Sequence, residues 1–530
     1  MNTETGEAMA PEYTRYSPTV RALLLAAAVL ACLLEVLDLT IVNVAIPTMM
    51  GNLGATLDNI NWVATGYMLA NVVALPMTGW MAACIGRRRL LLSSIMIFTV
   101  SSLFCGISES LSMLILFRVI QGLGGASLMS VSQAMLMDVF PPHRRGLAQA
   151  IFGVGLMAGP CAGPVLGGYL VDNYSWPWIF FINLPVGIVT VVMMWMFLKD
   201  PRNVQSATNE PIDILGISFM AIGLGCLQLM LDKGETEGWL DSSFIRWLVV
   251  LSSLGLVFFI VRELTTRYPV VNLRNLKHRG LAAGCSYAFF AGLCMMSFLM
   301  MLPVFLQNIR QYTAMRTGEM LVPFAIASAV TMPITGMLMN YISPRILTAV
   351  GSLTASYGMI MMSRVTSLTG YEHLFWGQVL FGAGIGLLFV PLMTAALAGL
   401  KGRDLAEGSG LFNLFRQLGG SIGIAYMTAR LNQATVFSHN IIAEHVTIYD
   451  PEVISRLTMY KQFFMSKGAS AVVATQQALK AMDQIILGQS TIIGFGNIFL
   501  LMAILFVLTT PLSLLLSNTV PGDEKVSGHH

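Results

Sequence analysis

The first apolar run of the chain, residues 22–47, reads ALLLAAAVLACLLEVLDLTIVNVAIP. A hydrocarbon core of roughly 30 Å requires about 20 consecutive apolar residues in an α-helix, so this run is long enough to cross a bilayer. It also carries two carboxylates, Glu35 and Asp38, which are three residues apart and therefore share a helix face. A charge at the centre of a bilayer costs at least about 2.5–3.5 kcal/mol, so these two positions indicate a functional membrane span.

The composition of the whole chain extends this interpretation to the rest of the protein. Hydrophobic residues make up 55% of the 530 residues and charged residues 11%, and the mean hydropathy is +0.71. A soluble domain carries about 25% charged residues because its surface faces water. The formal charge of +3 is too small to suggest a nucleic-acid partner. The composition therefore predicts an all-α polytopic membrane protein.

Fourteen apolar runs are long enough to be spans. They lie near residues 22–47, 60–83, 89–108, 111–136, 147–171, 177–198, 212–232, 244–262, 281–305, 319–341, 345–364, 374–399, 407–430 and 490–516. We predict an N-terminal tail and six-helix bundle in residues 1–200, and two inserted spans with flanking cytoplasmic segments in 201–279. A C-terminal six-helix bundle in 280–530 then includes a long extracytoplasmic loop, 431–488, and a cytoplasmic tail.

The distribution of lysine and arginine predicts the orientation of these spans. Cytoplasmic loops are enriched in both residues. With both termini in the cytoplasm, the loops assigned inside contain Arg87, Arg88, Arg89, Arg144, Arg145, Lys199, Arg202, Arg262, Arg267, Arg274, Lys277, Arg279, Arg345, Lys401 and Arg403. The loops between spans 1 and 2, 3 and 4, and 5 and 6 contain none. We therefore expect both termini to be cytoplasmic.

A repeated spacing indicates that the two halves of the chain are related. Gly79 ends span 2 and Arg88 follows nine residues later, while Gly336 ends span 10 and Arg345 follows nine residues later. The two pairs hold equivalent places if spans 7 and 8 are an insertion. Repeated bundles around a central site are typical of secondary transporters.

Three charged side chains in spans 1 and 4 are the candidates for proton coupling. Burial of a carboxyl and a nearby cation act in opposite directions on its proton affinity, so their balance can place Asp38 or Glu35 where it exchanges protons near neutral pH. Arg118 lies well inside span 4 and must face a partner or water. The alternative is a carboxylate held permanently in an ion pair.

Polar side chains elsewhere in the spans are the candidates for a substrate cavity. They are Asn43, Gln121, Asn413 and Arg416. Arg416 is a second intramembrane cation, and two roles are open for it: attracting an anionic group of a substrate, or bracing the second bundle.

Small residues mark the positions expected to pack helices closely or to gate. Glycines at four-residue intervals let helices approach, and proline kinks a helix because it lacks a backbone donor. Span 5 combines both features, and we predict a bent, smooth helix against which another can pivot. The helix-packing and gating candidates are Gly155, Gly159, Pro160, Gly163, Pro164 and Gly167 in span 5, and Gly79, Gly86, Arg87 and Arg88 after span 2.

Several other functional classes are excluded or disfavoured by the sequence. No lysine is followed by serine or threonine, so the phosphate-binding pattern GxxxxGK[ST] does not occur. Residues 419–423 fit the esterase pattern GxSxG, but that elbow requires a preceding strand, whereas this stretch lies inside a span. None of the seven cysteines forms a CxxC pair. We expect no enzyme active site, no cofactor and no metal.

Taken together, these motifs resemble the major facilitator superfamily, and within it the fourteen-span drug:proton antiporter family of EmrB-like multidrug exporters. The resemblance covers roughly residues 20–515. It rests on LDLTIVNVAIP at 37–47, RVIQG at 118–122, the Gly-Pro pairs of span 5, WIFFINLPVG at 178–187 and RQLGGSIG at 416–423. One departure concerns the loop at 79–89, which has Ala83 and Cys84 where the superfamily usually has Asp and Arg.

The resemblance implies two six-helix bundles plus two inserted helices, and proton-driven efflux of hydrophobic or amphipathic compounds from a bacterial inner membrane. It also implies an EmrA-like membrane fusion protein and a TolC-like outer-membrane channel, for which residues 431–488 are a candidate contact. One alternative is a dedicated exporter of a single endogenous metabolite, such as a siderophore or antibiotic. Another is a non-transporting scaffold or receptor, against which Glu35, Asp38 and Arg118 argue.

Overall fold

In the computed structural model, residues 12–199, 213–366, 370–400, 402–447 and 449–516 are described, and within them the chain is helical, with no β-strand. The principal helices are α1 Pro18–Asn52, α2 Trp62–Ile85, α3 Arg87–Gly106, α4 Leu111–Val139, α5 Pro142–Asn173, α6 Trp178–Phe197, α7 Ile214–Lys233, α8 Ser243–Thr265, α9 Arg279–Asn308, α10 Ala314–Leu338, α11 Pro344–Ser363, α12 Tyr371–Leu397, α13 Gly402–His445, α14 Pro451–Ser466 and α15 Ala471–Thr509. The predicted boundary at 200–201, Arg202, Lys401 and both chain ends lie outside the described residues.

The predicted all-α polytopic fold is confirmed. In the described part of the chain, thirteen helices, α1–α12 and α15, are long and apolar enough to cross a membrane. The remaining predicted span, 407–430, lies within α13, whose apolar character is interrupted by Asn413, Arg416 and Gln417. This helix nevertheless packs directly against α9, because a Cβ at Gly419 would collide with the carbonyl oxygen of Phe289. Close backbone approach of this kind is typical of packed spans.

The segment 431–488, predicted as a long loop between spans, is mostly helical. α13 continues to His445, α14 follows, and α15 begins at Ala471. Side-chain caps start the two later helices: Asp450 accepts from the backbone N–H of Glu452, and Ser470 from that of Val473. We call residues 431–488 the helical hairpin. The polar residues that suggested a loop therefore lie on helices.

The helices form two groups joined by an inserted pair. We call α1–α6 the N-terminal bundle, α9–α13 with α15 the C-terminal bundle, and α7–α8 the inserted pair. α1 packs against α4, α5 and α6, and α13 packs against α9 and α15. The inserted helices meet each other where a Cβ on Gly223 would lie 2.8 Å from the backbone nitrogen of Leu256. Their outer faces carry exposed apolar side chains, as expected of lipid-facing spans.

Glycines bring the two bundles into close contact. A Cβ on Gly79 would lie 2.6 Å from the Cα of Glu407, and one on Gly336 would lie 2.7 Å from the carbonyl oxygen of Gly146. The two glycines paired by the sequence repeat thus both touch the opposite bundle, at the end of the molecule that carries Arg87. We call this the Arg87 end, and the opposite one the Asn52 end. α5 and α10 remain in contact towards the Asn52 end, where Gly318 meets Val165.

Candidate functional site

A buried ion pair lies at the centre of the N-terminal bundle. Asp38 of α1 and Arg118 of α4 are 0% and 1% exposed, and Nη1 of Arg118 is 2.5 Å from Oδ2 of Asp38. The guanidinium also donates through Nε to the carbonyl oxygen of Val63, 3.0 Å away, and it lies 4.3 Å from the ring centroid of Tyr67. A cation stacked on an aromatic ring gains further stabilisation when both are desolvated.

Two amides complete the surroundings of the Asp38 carboxylate. Gln121 and Asn183 each donate from their side-chain nitrogen to Oδ1 of Asp38, at 3.1 Å. Gln121 in turn accepts from Nη1 of Arg118 at 2.9 Å. The carboxylate therefore receives three side-chain hydrogen bonds, all from α4 and α6. Removing one partner of such a buried pair typically costs about 3–5 kcal/mol, because the other charge is left uncompensated.

Glu35 occupies a different environment although it lies one helical turn from Asp38. Its Oε2 accepts from the backbone N–H of Met129 at 3.1 Å, and its Oε1 accepts from Nδ2 of Asn71 at 3.5 Å. The carboxyl is 5% exposed. The two predicted proton-coupling carboxyls therefore belong to two separate networks, and only Asp38 is paired directly with Arg118.

The four predicted cavity residues do not converge on one site. Gln121 belongs to the Asp38 network. Asn43 lies on α1, five residues after Asp38, and its side chain is exposed. Asn413 is buried on α13 and donates to Oε1 of Gln133 on α4 at 2.8 Å, which joins the two bundles.

Arg416, three residues after Asn413 on α13, lies beside a small apolar cavity of the C-terminal bundle. Ala288, Met295 and Phe412 are among the residues that line this cavity. Arg416 is 8% exposed, and its Nε has no hydrogen-bond partner among the described residues. Both roles considered for Arg416, substrate attraction and bracing, are compatible with this position.

The glycines of α5 form the surface on which α1 rests. A Cβ on Gly155 would lie 2.8 Å from Cγ1 of Val29, and one on Gly159 would lie 2.7 Å from Cγ1 of Val36. Gly163 meets Thr40 and Gly167 meets Ile41 in the same way. Pro160 and Pro164 lie inside this helix without interrupting it. α5 therefore packs directly behind the segment of α1 that carries Asp38.

Of the predicted gating residues, Gly79 touches the C-terminal bundle, whereas the other three form contacts within the N-terminal bundle. Gly86 has a φ of +88°, a conformation that side-chain-bearing residues rarely adopt, and it separates α2 from α3. Arg87 is buried and forms an ion pair with Asp138 at the end of α4. Arg88 donates to the carbonyl oxygen of Trp195 at 2.7 Å. Ala83, at the position where the superfamily usually has Asp, is buried and cannot form an ion pair.

Sequence reasoning missed several members of these networks. Asn183, Tyr67 and Asn71 are fully or almost fully buried, and none was singled out as a site residue. A polar side chain within an apolar span is itself a signal of function, and this criterion identifies Asn183 and Asn71. Tyr67 carried no comparable signal, because aromatic residues are common in spans as packing.

Comparison with known proteins identifies the family. The sequence profile described as Major Facilitator Superfamily matches residues 28–424, about three quarters of the chain. The chain belongs to the Major Facilitator Superfamily. Among the relatives within this superfamily, it is 35% identical to the multidrug export protein EmrB of Haemophilus influenzae, over 90% of this chain and 92% of that protein. It is 34% identical to the fatty acid resistance protein FarB of Neisseria gonorrhoeae, over 91% and 93%.

A solved structure supports the same fold. The human organic anion transporter MFSD10 (TETRAN) superposes with a TM-score of 0.59 at 15% identity, covering 93% of this chain and 100% of that one. This likeness concerns the Major Facilitator fold alone.

Proposed function

We propose that this chain is a proton-coupled antiporter that exports hydrophobic or amphipathic small molecules by alternating access. The observation that carries the proposal is the Asp38–Arg118 pair, which is excluded from solvent and held by Gln121 and Asn183. An intramembrane ionisable pair is expensive and marks ion pathways in transporters. The relatives are named for multidrug export and fatty acid resistance, which supports an amphipathic cargo.

Asp38 is the proposed proton carrier, because its protonation changes every contact of the pair. Ionised Asp38 accepts three hydrogen bonds and balances the charge of Arg118. Protonation removes the attraction and converts one oxygen to a donor. Arg118 then keeps the Tyr67 ring and the Val63 carbonyl as partners. In antiport, proton and substrate disfavour each other's binding, and this coupling is reciprocal.

The proposed movement is a rocking of residues 1–200 against residues 280–530, with 201–279 as an insertion. The close α5–α10 contact supports a pivot there, because Gly146 and Gly336 bring the two backbones together at the Arg87 end. At the same end of the molecule, Gly79 of α2 also contacts Glu407 of α13, and we propose that this contact opens and closes during the movement. Transporters of this class alternate access by rigid-body motion of their repeats.

The proposed location is a bacterial inner membrane with both termini in the cytoplasm, and the helical hairpin on the outside. An EmrA-like fusion protein and a TolC-like channel are the proposed partners, contacted through this hairpin. Large apolar side chains on the hairpin support that contact: Phe437 is 68% and Val472 71% exposed.

The decisive test is Asp38→Asn in proteoliposomes, which removes the titratable group and keeps its size. The variant should still bind an amphipathic fluorescent dye, since apolar contacts supply most of the affinity, but should lose uphill dye export driven by a pH gradient. Asp172→Asn, which changes an exposed carboxylate at the end of α5, is the matched control. Gradient-driven export by Asp38→Asn at the parent rate would refute the assignment of Asp38.

A further inference from the structure

The two buried carboxyls of α1, Asp38 and Glu35, differ in whether their hydrogen-bond partners contact the C-terminal bundle. Among the described residues, the hydrogen-bond partners of Asp38 all belong to the N-terminal bundle. The two partners of Glu35, Asn71 and Met129, also belong to it, but each of them touches the C-terminal bundle directly. A relative movement of the bundles therefore changes the surroundings of Glu35 more directly than those of Asp38.

The first connection runs through the side chain of Asn71. Its Nδ2 donates to Oε1 of Glu35 at 3.5 Å, and its Oδ1 accepts from Nε2 of Gln417 on α13 at 3.1 Å. One amide thus joins a carboxyl of α1 to a residue of the opposite bundle. Asn71 is 1% exposed, so water does not replace either contact freely.

The second connection runs through Met129 of α4. Its backbone N–H donates to Oε2 of Glu35 at 3.1 Å, and its sulfur accepts from Nη2 of Arg416 at 3.2 Å. Arg416 precedes Gln417, so both connections end on adjacent residues of α13. The backbone of α13 is held there by α9, because a Cβ on Gly292 would collide with the carbonyl oxygen of Arg416.

We infer that Glu35 is the carboxyl whose charge is linked to the separation of the two bundles, and that Asn71 and Gln417 are positioning residues that transmit this link. The inference rests on the proposed proton-coupled transport. When α13 withdraws, the Asn71–Gln417 bond breaks and the Arg416 cation leaves the neighbourhood of Glu35. A buried carboxylate without a compensating cation is costly, so proton binding at Glu35 accompanies the separation.

Other charged and titratable groups around Glu35 are few. Cys32 and Asp38 lie on its own helix, Tyr67 faces it from α2, and Arg416 faces it from α13. Arg118 of α4 is engaged with Asp38. α6 contains no titratable residue between 178 and 197, and the surface that α5 presents to α1 is formed by glycines. Arg416 is therefore the cation whose distance from Glu35 depends on the arrangement of the bundles.

The experiment measures the distance between spin labels at Asn52→Cys and Asn308→Cys, which lie exposed at the Asn52 ends of α1 and α9. The partly exposed native cysteines Cys84 and Cys226 are replaced by serine. The distance is recorded between pH 5 and pH 9 in the purified full-length protein. The parent should show a pH-dependent change in this distance. Glu35→Gln should abolish the change, whereas Asp38→Asn should retain it.

Gln417→Leu tests the transmitting contact with little risk to folding, because this side chain is only partly buried. Loss of the hydrogen bond between Gln417 and Asn71 should shift the midpoint of the pH-dependent change in label distance by about 0.5–1 pH unit. Gln378→Leu is the matched control, since it removes a buried amide within α12 whose side-chain atoms have no partner among the described residues. It should leave the midpoint unchanged.

Three results would overturn the inference: a parent distance that does not respond to pH, a pH response that survives Glu35→Gln, or equal midpoints for Gln417→Leu and Gln378→Leu. Each is separate from failure of the proposed function. If the parent does not export dye under a pH gradient, the transport proposal falls by the liposome assay alone. If the parent does export dye but the spin-label distances give any of these three results, only the assignment of Glu35, Asn71 and Gln417 is wrong.

Discussion

The packing of α1 on α5 predicts that a single methyl group at Gly159 is more harmful than the same group at Gly168. Gly159→Ala places a Cβ 2.7 Å from Cγ1 and 2.9 Å from Cβ of Val36, and 3.2 Å from the backbone nitrogen of Leu37. At Gly168, on the same helix, nothing lies within 4 Å of an added Cβ. The two substitutions are chemically identical and differ only in the atoms that the added methyl group contacts.

The magnitude follows from these distances. Ordinary contacts of a Cβ begin at 3.4 Å, so α1 and α5 must separate by about 0.7 Å at Gly159. Val36 cannot rotate away cheaply, because a β-branched residue in a helix has one strongly preferred rotamer. Overpacking of this kind costs about 1–3 kcal/mol. The gain in helix propensity from Gly to Ala applies to both variants and cancels in their comparison.

The assay compares thermal unfolding in detergent and dye export in proteoliposomes for the parent and both variants. Gly159→Ala should unfold at a lower temperature than Gly168→Ala, and it should export more slowly, because the displaced residues Val36 and Leu37 immediately precede Asp38. Gly168→Ala should match or exceed the parent in stability. Equal unfolding temperatures and equal export for the two variants would refute the close-packing argument.

Two further predictions concern topology and pH. A cysteine at the exposed position Ser466, in the helical hairpin, should react with an impermeant reagent added outside intact cells, and one at the exposed position His143 should not; the opposite pattern would invert the proposed orientation. Burial raises the pKa of Asp213, but hydrogen bonds from Arg262 and the backbone N–H of Gly216 outweigh it and hold this pKa below its usual value. Because the folded-state pKa is depressed, Asp213→Asn should lower the unfolding temperature at pH 7, and this deficit should shrink as the pH falls through the folded-state pKa of Asp213; a deficit independent of pH would contradict this.

Much of the fold was predictable because the bilayer acts on each span separately. The thickness of the hydrocarbon core determines how long an apolar run must be, and thirteen of the fourteen predicted spans correspond to helices that meet that requirement. The run around 407–430 was also predicted as a span, and it lies within α13, where Arg416 and Gln417 lower its hydropathy. The helical hairpin was not predicted as helix, since the local apolar signal that marks a span is absent there.

The candidate site was only partly predictable, because pairing depends on several helices at once. Asp38 and Arg118 stood out since a charge in an apolar span requires a partner, and the structure joins them. Gln121 was predicted to line a substrate cavity, and the structure shows that it hydrogen-bonds to Asp38 in the ion-pair network. Asn183 was quoted in a family motif without a role, yet it contacts the Asp38 carboxylate.

By itself, the sequence determined that this is a polytopic helical protein, and that Glu35, Asp38 and Arg118 are charges placed within its spans. Only the tertiary structure decided that Asp38 is enclosed by one bundle while Glu35 lies beside the other. The physical reason is that hydropathy is a property of each helix alone. The partner of a side chain depends on how every helix is rotated about its axis and which helices adjoin it. That arrangement is set by backbone approach at small residues such as Gly159 and Gly336.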